Sequence, residues 1–143
     1  MTEAANDQGD VVVPNFGVRT TPLGSLLPIN FSDIPFSPQR VFIVQDVPPD
    51  TTRGTHAHRH CEQYLLLLSG EIHVRMLDGR TETLTILDKP GAGVLLPAMI
   101  WGSQTYVHSR SRLLVFASQE YDRSDYIDDF EDFLREKGAY PQS

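Results

Sequence analysis

Four of the five histidines in the chain, His56, His58, His60 and His73, fall between residues 56 and 73. The dense stretch runs Arg53-Gly-Thr-His-Ala-His-Arg-His-Cys-Glu-Gln63. On an extended strand, side chains two apart share a face. His56 and His58 then project together and Ala57 points away; by His60 the chain must already be turning toward the next strand. A paired imidazole face offers two chemistries. Neutral imidazole is a common ligand for zinc, iron, copper and nickel. It also titrates close enough to neutrality to take up and return protons. The bland alternative is a pair of surface histidines on a solvated edge strand.

The elements that must hold these rings are short and evenly punctuated. Turn signals fall at Pro14-Asn15, Thr21 to Gly24, Leu27-Pro28, Ser37-Pro38, Pro48 to Asp50, Ser69-Gly70, Asp78-Gly79, Lys89 to Gly91 and Ser109-Arg110. Between them, Arg40–Asp46 reads as a strand. Gln63–Leu68 and Glu71–Leu77 read as a hairpin across Ser69-Gly70, and Thr81–Ile86 follows a tight turn at Asp78-Gly79. Val94–Pro97 and Arg112–Ala117 are further strands. Strands this short and regular predict a β-sandwich or barrel. A helix is predicted near the end, with Ser124 as N-cap, Asp125, Asp128 and Asp129 in its first turns, and Gly138 as its stop. Its apolar positions Ile127, Phe130, Phe133 and Leu134 recur at helical spacing, so Tyr126, Phe130 and Phe133 are expected to pack the helix on the barrel.

Composition narrows the function. The chain has 143 residues, 40% hydrophobic and 22% charged, in keeping with one globular domain. Residues 1–10 are polar and expected to be flexible, leaving 11–143 as a single domain. With 12 Lys+Arg against 19 Asp+Glu the formal charge is −7, which argues against nucleic-acid binding. A few arginines can still grip one phosphorylated small molecule. The single cysteine, Cys61, excludes an internal disulfide and fits a reducing compartment. No apolar run has membrane-spanning length and the N-terminus has no hydrophobic leader, so a cytoplasmic protein without a membrane partner is expected.

The histidine segment resembles the first motif of cupin barrels, with His56 and His58, Gln63 in place of the usual glutamate, and Gly70. Gly91 and Pro97 match the second motif, whose glycine and histidine places fall on Met99 and Gly102. Two imidazoles remain where a catalytic metal centre normally has three protein ligands, so neither metal nor cofactor is expected.

More narrowly, the sequence resembles the 3,4-ketoisomerases of nucleotide-linked 4-keto-6-deoxyhexoses, the WxcM-like sugar-nucleotide isomerases. The resemblance runs from about residue 22 to residue 135. Its main carriers are Arg53-Gly-Thr-His-Ala-His58, Gln63, Leu68-Ser-Gly70, Leu77-Asp-Gly79, Trp101 and the closing Tyr121-Asp122, Asp125-Tyr126-Ile127. It departs at Arg59, where lysine is usual, and at Gly102, where histidine often follows the tryptophan. It implies an all-β cupin, a jelly-roll β-barrel with a short C-terminal α-helix, forming a homodimer. It also implies an isomerase that moves the carbonyl of dTDP-4-keto-6-deoxyglucose from C4 to C3 through an enediol or enediolate. His56 and His58 would carry the protons; the residues leave open which ring takes the C3 proton, and His56 is taken as the base with His58 shuttling protons to or from oxygen. Arg53, Gln63, Trp101 and Tyr121 are the candidates to bind the nucleotide-diphosphate sugar: Arg53 its diphosphate or the enediolate, Gln63 a sugar hydroxyl unless it orients a histidine instead, the two aromatics the base or sugar. Arg40, Arg59, Arg75, Arg110 and Arg112 are read as solvated, His73 and His108 as ordinary surface residues. A metal-dependent cupin such as a dioxygenase, a non-catalytic nucleotide-sugar-binding cupin and a 3,5-epimerase are the alternatives.

Overall fold

The run from Tyr64 to Leu68 has no polar alternate, so a strand made from it must be covered on both faces. The computed structural model gives it two covers. It describes residues 16–138, preceded by the backbone of two short paired strands, β1 (Ala4–Ala5) and β2 (Val11–Val12). Apart from Ala4–Ala5, the expected flexible segment 1–10 lies outside the described residues. The remaining strands are β3 (Arg19–Thr21), β4 (Gly24–Leu26), β5 (Arg40–Val44), β6 (Thr51–His58), β7 (Gln63–Ser69), β8 (Ile72–Leu77), β9 (Glu82–Leu87), β10 (Gly93–Leu96), β11 (Trp101–Tyr106), β12 (Arg112–Ala117) and β13 (Tyr126–Ile127). One α-helix, α1 (Phe130–Lys137), closes the described chain.

A four-stranded antiparallel sheet in the order β10-β7-β12-β5 faces a five-stranded one in the order β13-β6-β11-β8-β9. This is the expected jelly roll. Leu65 and Leu67 of β7 point inward and pack with Ile72, Val74, Leu113 and Val115. Tyr64 and Leu66 point outward and are covered by Phe16 and Ile34 of the N-terminal segment. A third cluster sits outside the five-stranded sheet, where Phe133 of α1 packs on Ala57 and Ile127.

Two expectations are corrected. Gln63–Leu68 and Glu71–Leu77 do not form a hairpin, because β7 pairs with β10 and β12 while β8 pairs with β9 and β11. Gly70 instead carries the chain from one sheet to the other. It has φ +78, and a Cβ there would lie 2.6 Å from the Ser111 Cα, so the corner needs glycine. The second correction is the helix start. Asp129, not Ser124, is the N-cap, accepting from the Asp132 N–H at 3.0 Å. Tyr126 and Ile127 are drawn into the sheet instead, pairing with His58 and Ala57. The stop is as expected, with Gly138 in the left-handed region at φ 76.

Candidate active site

Arg53 and His56 are three residues apart, so a regular strand would turn them to opposite faces. A bulge in β6 prevents that. Gly102 of β11 pairs with His56, but Gln104 pairs with Arg53, so β6 carries one extra residue between them. Gly54 takes φ +69 within that bulge. As a result Arg53, His56 and Gln104 all line one interior cavity of about 240 Å³. Ala57 faces the other way, under α1.

His56 and His58 stand side by side as the HxH pattern requires. Their ring centroids are 4.9 Å apart and nearly perpendicular. His56 lies on the cavity wall, and His58 sits beside it, only 6% exposed. Burial, reinforced by the neighbouring His58, lowers the His56 pKa to about 4. Burial also lowers that of His58, against the opposing pull of Asp125. Both rings are therefore neutral at pH 7, the form that accepts a proton.

Asp125 is the residue that the sequence placed wrongly, in the first turn of a helix. It is 5% exposed. Its carboxylate accepts from the backbone N–H groups of His60 at 2.8 Å and Cys61 at 3.1 Å, and it lies 3.2 Å from His58 Nδ1. A carboxylate there makes Nδ1 the protonated nitrogen and leaves the Nε2 lone pair free. Nε2 is buried with no hydrogen-bond partner among the described residues. The signal was present in the closing Asp125-Tyr126-Ile127, but acids ahead of a helical pattern fit a first turn equally well.

Tyr126 is likewise corrected. It does not merely pack the helix; its ring lies 4.9 Å from that of His56 and 4.3 Å from that of His58, and it lines the cavity. Arg59 is not simply solvated. It pairs with Glu136 at 2.8 Å and donates to the carbonyls of Ser124 and Tyr126, bracing the segment that carries Asp125.

The expected substrate residues divide. Arg53 and Gln63 line the cavity, and Gln63 is 8% exposed, its side-chain amide without a hydrogen-bond partner among the described residues. Trp101 does not reach it. On β11 the inward positions are Gly102, Gln104 and Tyr106, so Trp101 faces outward and packs edge-on to Phe130 at 5.2 Å. Tyr121 is 59% exposed and sits at the rim, 5.8 Å from the Tyr126 ring. Between rim and cavity stands Arg40, read from the sequence as solvated but half-buried on the cavity wall, its guanidinium 4.6 Å from the centroid of Phe42 and 5.4 Å from that of Tyr121. Arg40 and Arg53 also border a second hollow of about 490 Å³ along β5.

The residues do not fit a cupin metal. The carboxylate place is the amide Gln63. At Gly102 there is no ligand side chain, and a Cβ would meet both Leu96 methyl groups at 3.1 Å, so one placed there would need Leu96 to shift. His58, Cys61 and Asp125 bring ligand atoms within 4.8 Å of one another, and Asp125 already accepts from the His60 and Cys61 N–H groups and faces His58 Nδ1.

Residues 12–138 match the family model FdtA, described as WxcM-like, C-terminal. The chain is 34% identical over 124 residues to the TDP-4-oxo-6-deoxy-alpha-D-glucose-3,4-oxoisomerase of Aneurinibacillus thermoaerophilus, spanning 86% of this chain and 89% of that one. A solved 3,4-ketoisomerase from Helicobacter canadensis aligns at TM-score 0.80 and 34% identity, over 87% of this chain and 94% of that one. A histidine-to-asparagine mutant of the 3,4-ketoisomerase QdtA from Thermoanaerobacterium thermosaccharolyticum, in complex with TDP-4-keto-6-deoxyglucose, aligns at TM-score 0.81 and 30% identity, over 88% and 91%.

Proposed function

The chain belongs to this FdtA family of WxcM-like proteins, and from that premise we propose that it is a 3,4-ketoisomerase of TDP-4-keto-6-deoxyglucose. The observation that carries the reading is the neutral imidazole pair, the half-buried His56 on the cavity wall and the buried His58 pinned by a buried carboxylate.

The C4 ketone acidifies the hydrogen on C3. His56 takes that proton, the C–H electron pair becomes the C3=C4 bond, and O4 gains a proton to give an enediol. Loss of the O3 proton forms the C3 carbonyl while the imidazolium returns a proton to C4. Atoms and electrons balance within the sugar, so no redox partner takes part. An imidazolium disfavoured by burial and by His58 is a poor resting place for the proton, which favours its return to carbon. His58 exchanges protons with the sugar oxygens, and Asp125 fixes its tautomer. Arg40 and Arg53, shared by the two hollows, suit a diphosphate lying between sugar and nucleoside. Gln63 offers its free amide to a hydroxyl. Tyr121 at the rim is suited to the base, and Trp101 has no substrate role in this reading.

A metal-dependent cupin is not favoured, since Gln63 and Gly102 supply neither the carboxylate nor the third imidazole. We read the protein as a cytoplasmic homodimer. Cys61 is a buried free thiol, in keeping with a reducing compartment. No helix among the described residues is long and apolar enough to cross a membrane. The edge strand β5 exposes Val41 at 56% and Ile43 at 49%, a surface that a second copy would cover.

The test is to incubate the protein with TDP-4-keto-6-deoxyglucose in D2O and follow the sugar by NMR. A 3-keto sugar carrying deuterium at C4 is expected. A product that keeps its C4 ketone while exchanging at C3 and C5 would be that of an epimerase and would overturn the reading.

A further inference from the structure

One polar side chain on the cavity wall has no part in the chemistry above. Gln104 lines the cavity and is only 8% exposed, yet its side-chain amide has no hydrogen-bond partner among the described residues. The backbone fixes where it sits. On β11 Gln104 pairs with Arg53 and Gly102 with His56, and the β6 bulge at Gly54 falls between. A Cβ on Gly54 would lie 2.5 Å from Gln104 Oε1, 3.2 Å from its Cδ and 3.3 Å from its Nε2. The amide therefore rests over the bulge glycine, between Arg53 and His56 along β6, and only a residue without a side chain leaves it that place. An amide carries donors and acceptors alike. A substrate that fills the cavity and expels water from this one must offer it a polar group or bear the cost of leaving it unmet.

We propose that Gln104 recognises the C2 hydroxyl of the substrate sugar and makes that hydroxyl a requirement for efficient turnover. The inference rests on the ketoisomerase reading and names a specificity of the same site.

The order of groups along β6 carries the assignment. Arg53 takes the diphosphate on C1 and His56 takes the hydrogen on C3, and C2 is the ring carbon between them. In an α-linked gluco sugar the C1 oxygen and the C3 hydrogen are both axial on one face of the ring. Arg53 and His56 likewise belong to one wall, so a single seating of the sugar serves both. The equatorial C2 hydroxyl then leaves the edge of the ring along the stretch from Arg53 to His56, where the Gln104 amide lies over Gly54. A hydroxyl both donates and accepts, as the amide does. Gln63 belongs to the facing sheet, off this line, and the other side chains of that sheet on the cavity, Phe42, Val44, Leu65, Leu113 and Val115 with Arg40, offer hydrocarbon and one charge. An analogue with hydrogen at C2 strands the amide in a filled cavity, and the penalty falls on kcat/KM.

The experiment measures kcat/KM for the unmodified protein and for Gln104→Met, each with TDP-4-keto-6-deoxyglucose and with its 2-deoxy analogue, following the 3-keto product by NMR. Methionine keeps the length of the side chain and removes the amide. The unmodified protein is expected to prefer the full sugar by about 10- to 100-fold. In Gln104→Met the two sugars should agree to within about twofold, with the loss confined to the full sugar. Gln104→Leu, which also lacks the amide, should behave alike and is read in its place where the methionine variant does not fold. An unmodified protein that turns over both sugars equally would overturn the inference, with or without a variant, and leave the isomerase reading standing. A preference that survives in a folded variant, or a loss shared by both sugars, would also overturn it, making Gln104 part of the wall and nothing more. Recovery of unchanged 4-keto sugar from the unmodified protein would overturn the isomerase reading itself, and the inference with it.

Discussion

β6 and β12 lie in the two facing sheets and both turn side chains into the same cavity, yet they are built on opposite plans. β12 pairs without interruption from Leu113 to Ala117 with neighbours on both sides, and its inward Leu113 and Val115 are hydrocarbon. β6 is bulged at Gly54, carries one half-buried and one buried imidazole, and leans on a buried carboxylate borrowed from the segment before α1. The local rules of sheet building are kept on the wall that holds the barrel together and broken on the wall that holds the chemistry. Broken rules of this kind cost stability and persist where function requires them.

Substitutions on the two strands should separate accordingly. Leu113 is 1% exposed in the core. Leu113→Ala is expected to lower unfolding stability by about 2–5 kcal/mol in a denaturant titration, while turnover at saturating substrate is retained. Loss of turnover without loss of stability would erase the contrast. Asp125→Asn should do the reverse. The amide oxygen can still accept from one of the His60 and Cys61 N–H groups, which bond to different carboxylate oxygens, but the His58 tautomer is no longer fixed. A fall in kcat of about 10- to 100-fold is expected, the scale seen when carboxylates that orient metal-bound histidines are altered. KM should change little, and Asp125→Glu should recover part of the loss. Equal losses in the Asn and Glu variants, tracking loss of folded protein, would make Asp125 merely structural.

The smallest effect concerns pH. His56 acts in its neutral form, and its pKa is held at about 4. As pH falls from neutrality, kcat/KM should stay level through the range where a solvated histidine titrates and decline only on approaching about pH 4. A decline centred near pH 6.5 would place the working base on an exposed ring. The same depressed value links to stability. The unfolded chain binds a proton at His56 below about pH 6.5 while the folded one does not until about pH 4, so the protein loses stability as pH falls through that window.

Much of this was legible in the residues. The alternation in His56-Ala-His58 fixed the shared face, and Arg112–Ala117 and the stop at Gly138 were placed as the structure has them. Trp101 was misjudged because its neighbours, Gly102, Ser103 and Gln104, do not read as a strand at all, so its outward direction had no pattern behind it. The corner at Gly70 reads like a hairpin turn because both need a positive φ; only the pairing partners of β7 and β8 tell them apart. Asp125 and Tyr126 were missed for a related reason. Their role depends on contacts with His58, which lies 67 residues before Asp125 in the chain, and local propensity favoured a helix start there. Arg53 was named for its guanidinium, but its presence in the cavity follows from a bulge that no spacing rule foretells.

The central claim is that two neighbouring imidazoles move the proton between C3 and C4. The most direct measurement is deuterium incorporation at C4 of the product in D2O, comparing the wild type with the His56→Asn, His58→Asn double variant after both are shown to be folded and to bind TDP equally. The account predicts a loss of at least about 10²- to 10⁴-fold in the variant. Incorporation at the wild-type rate would contradict it.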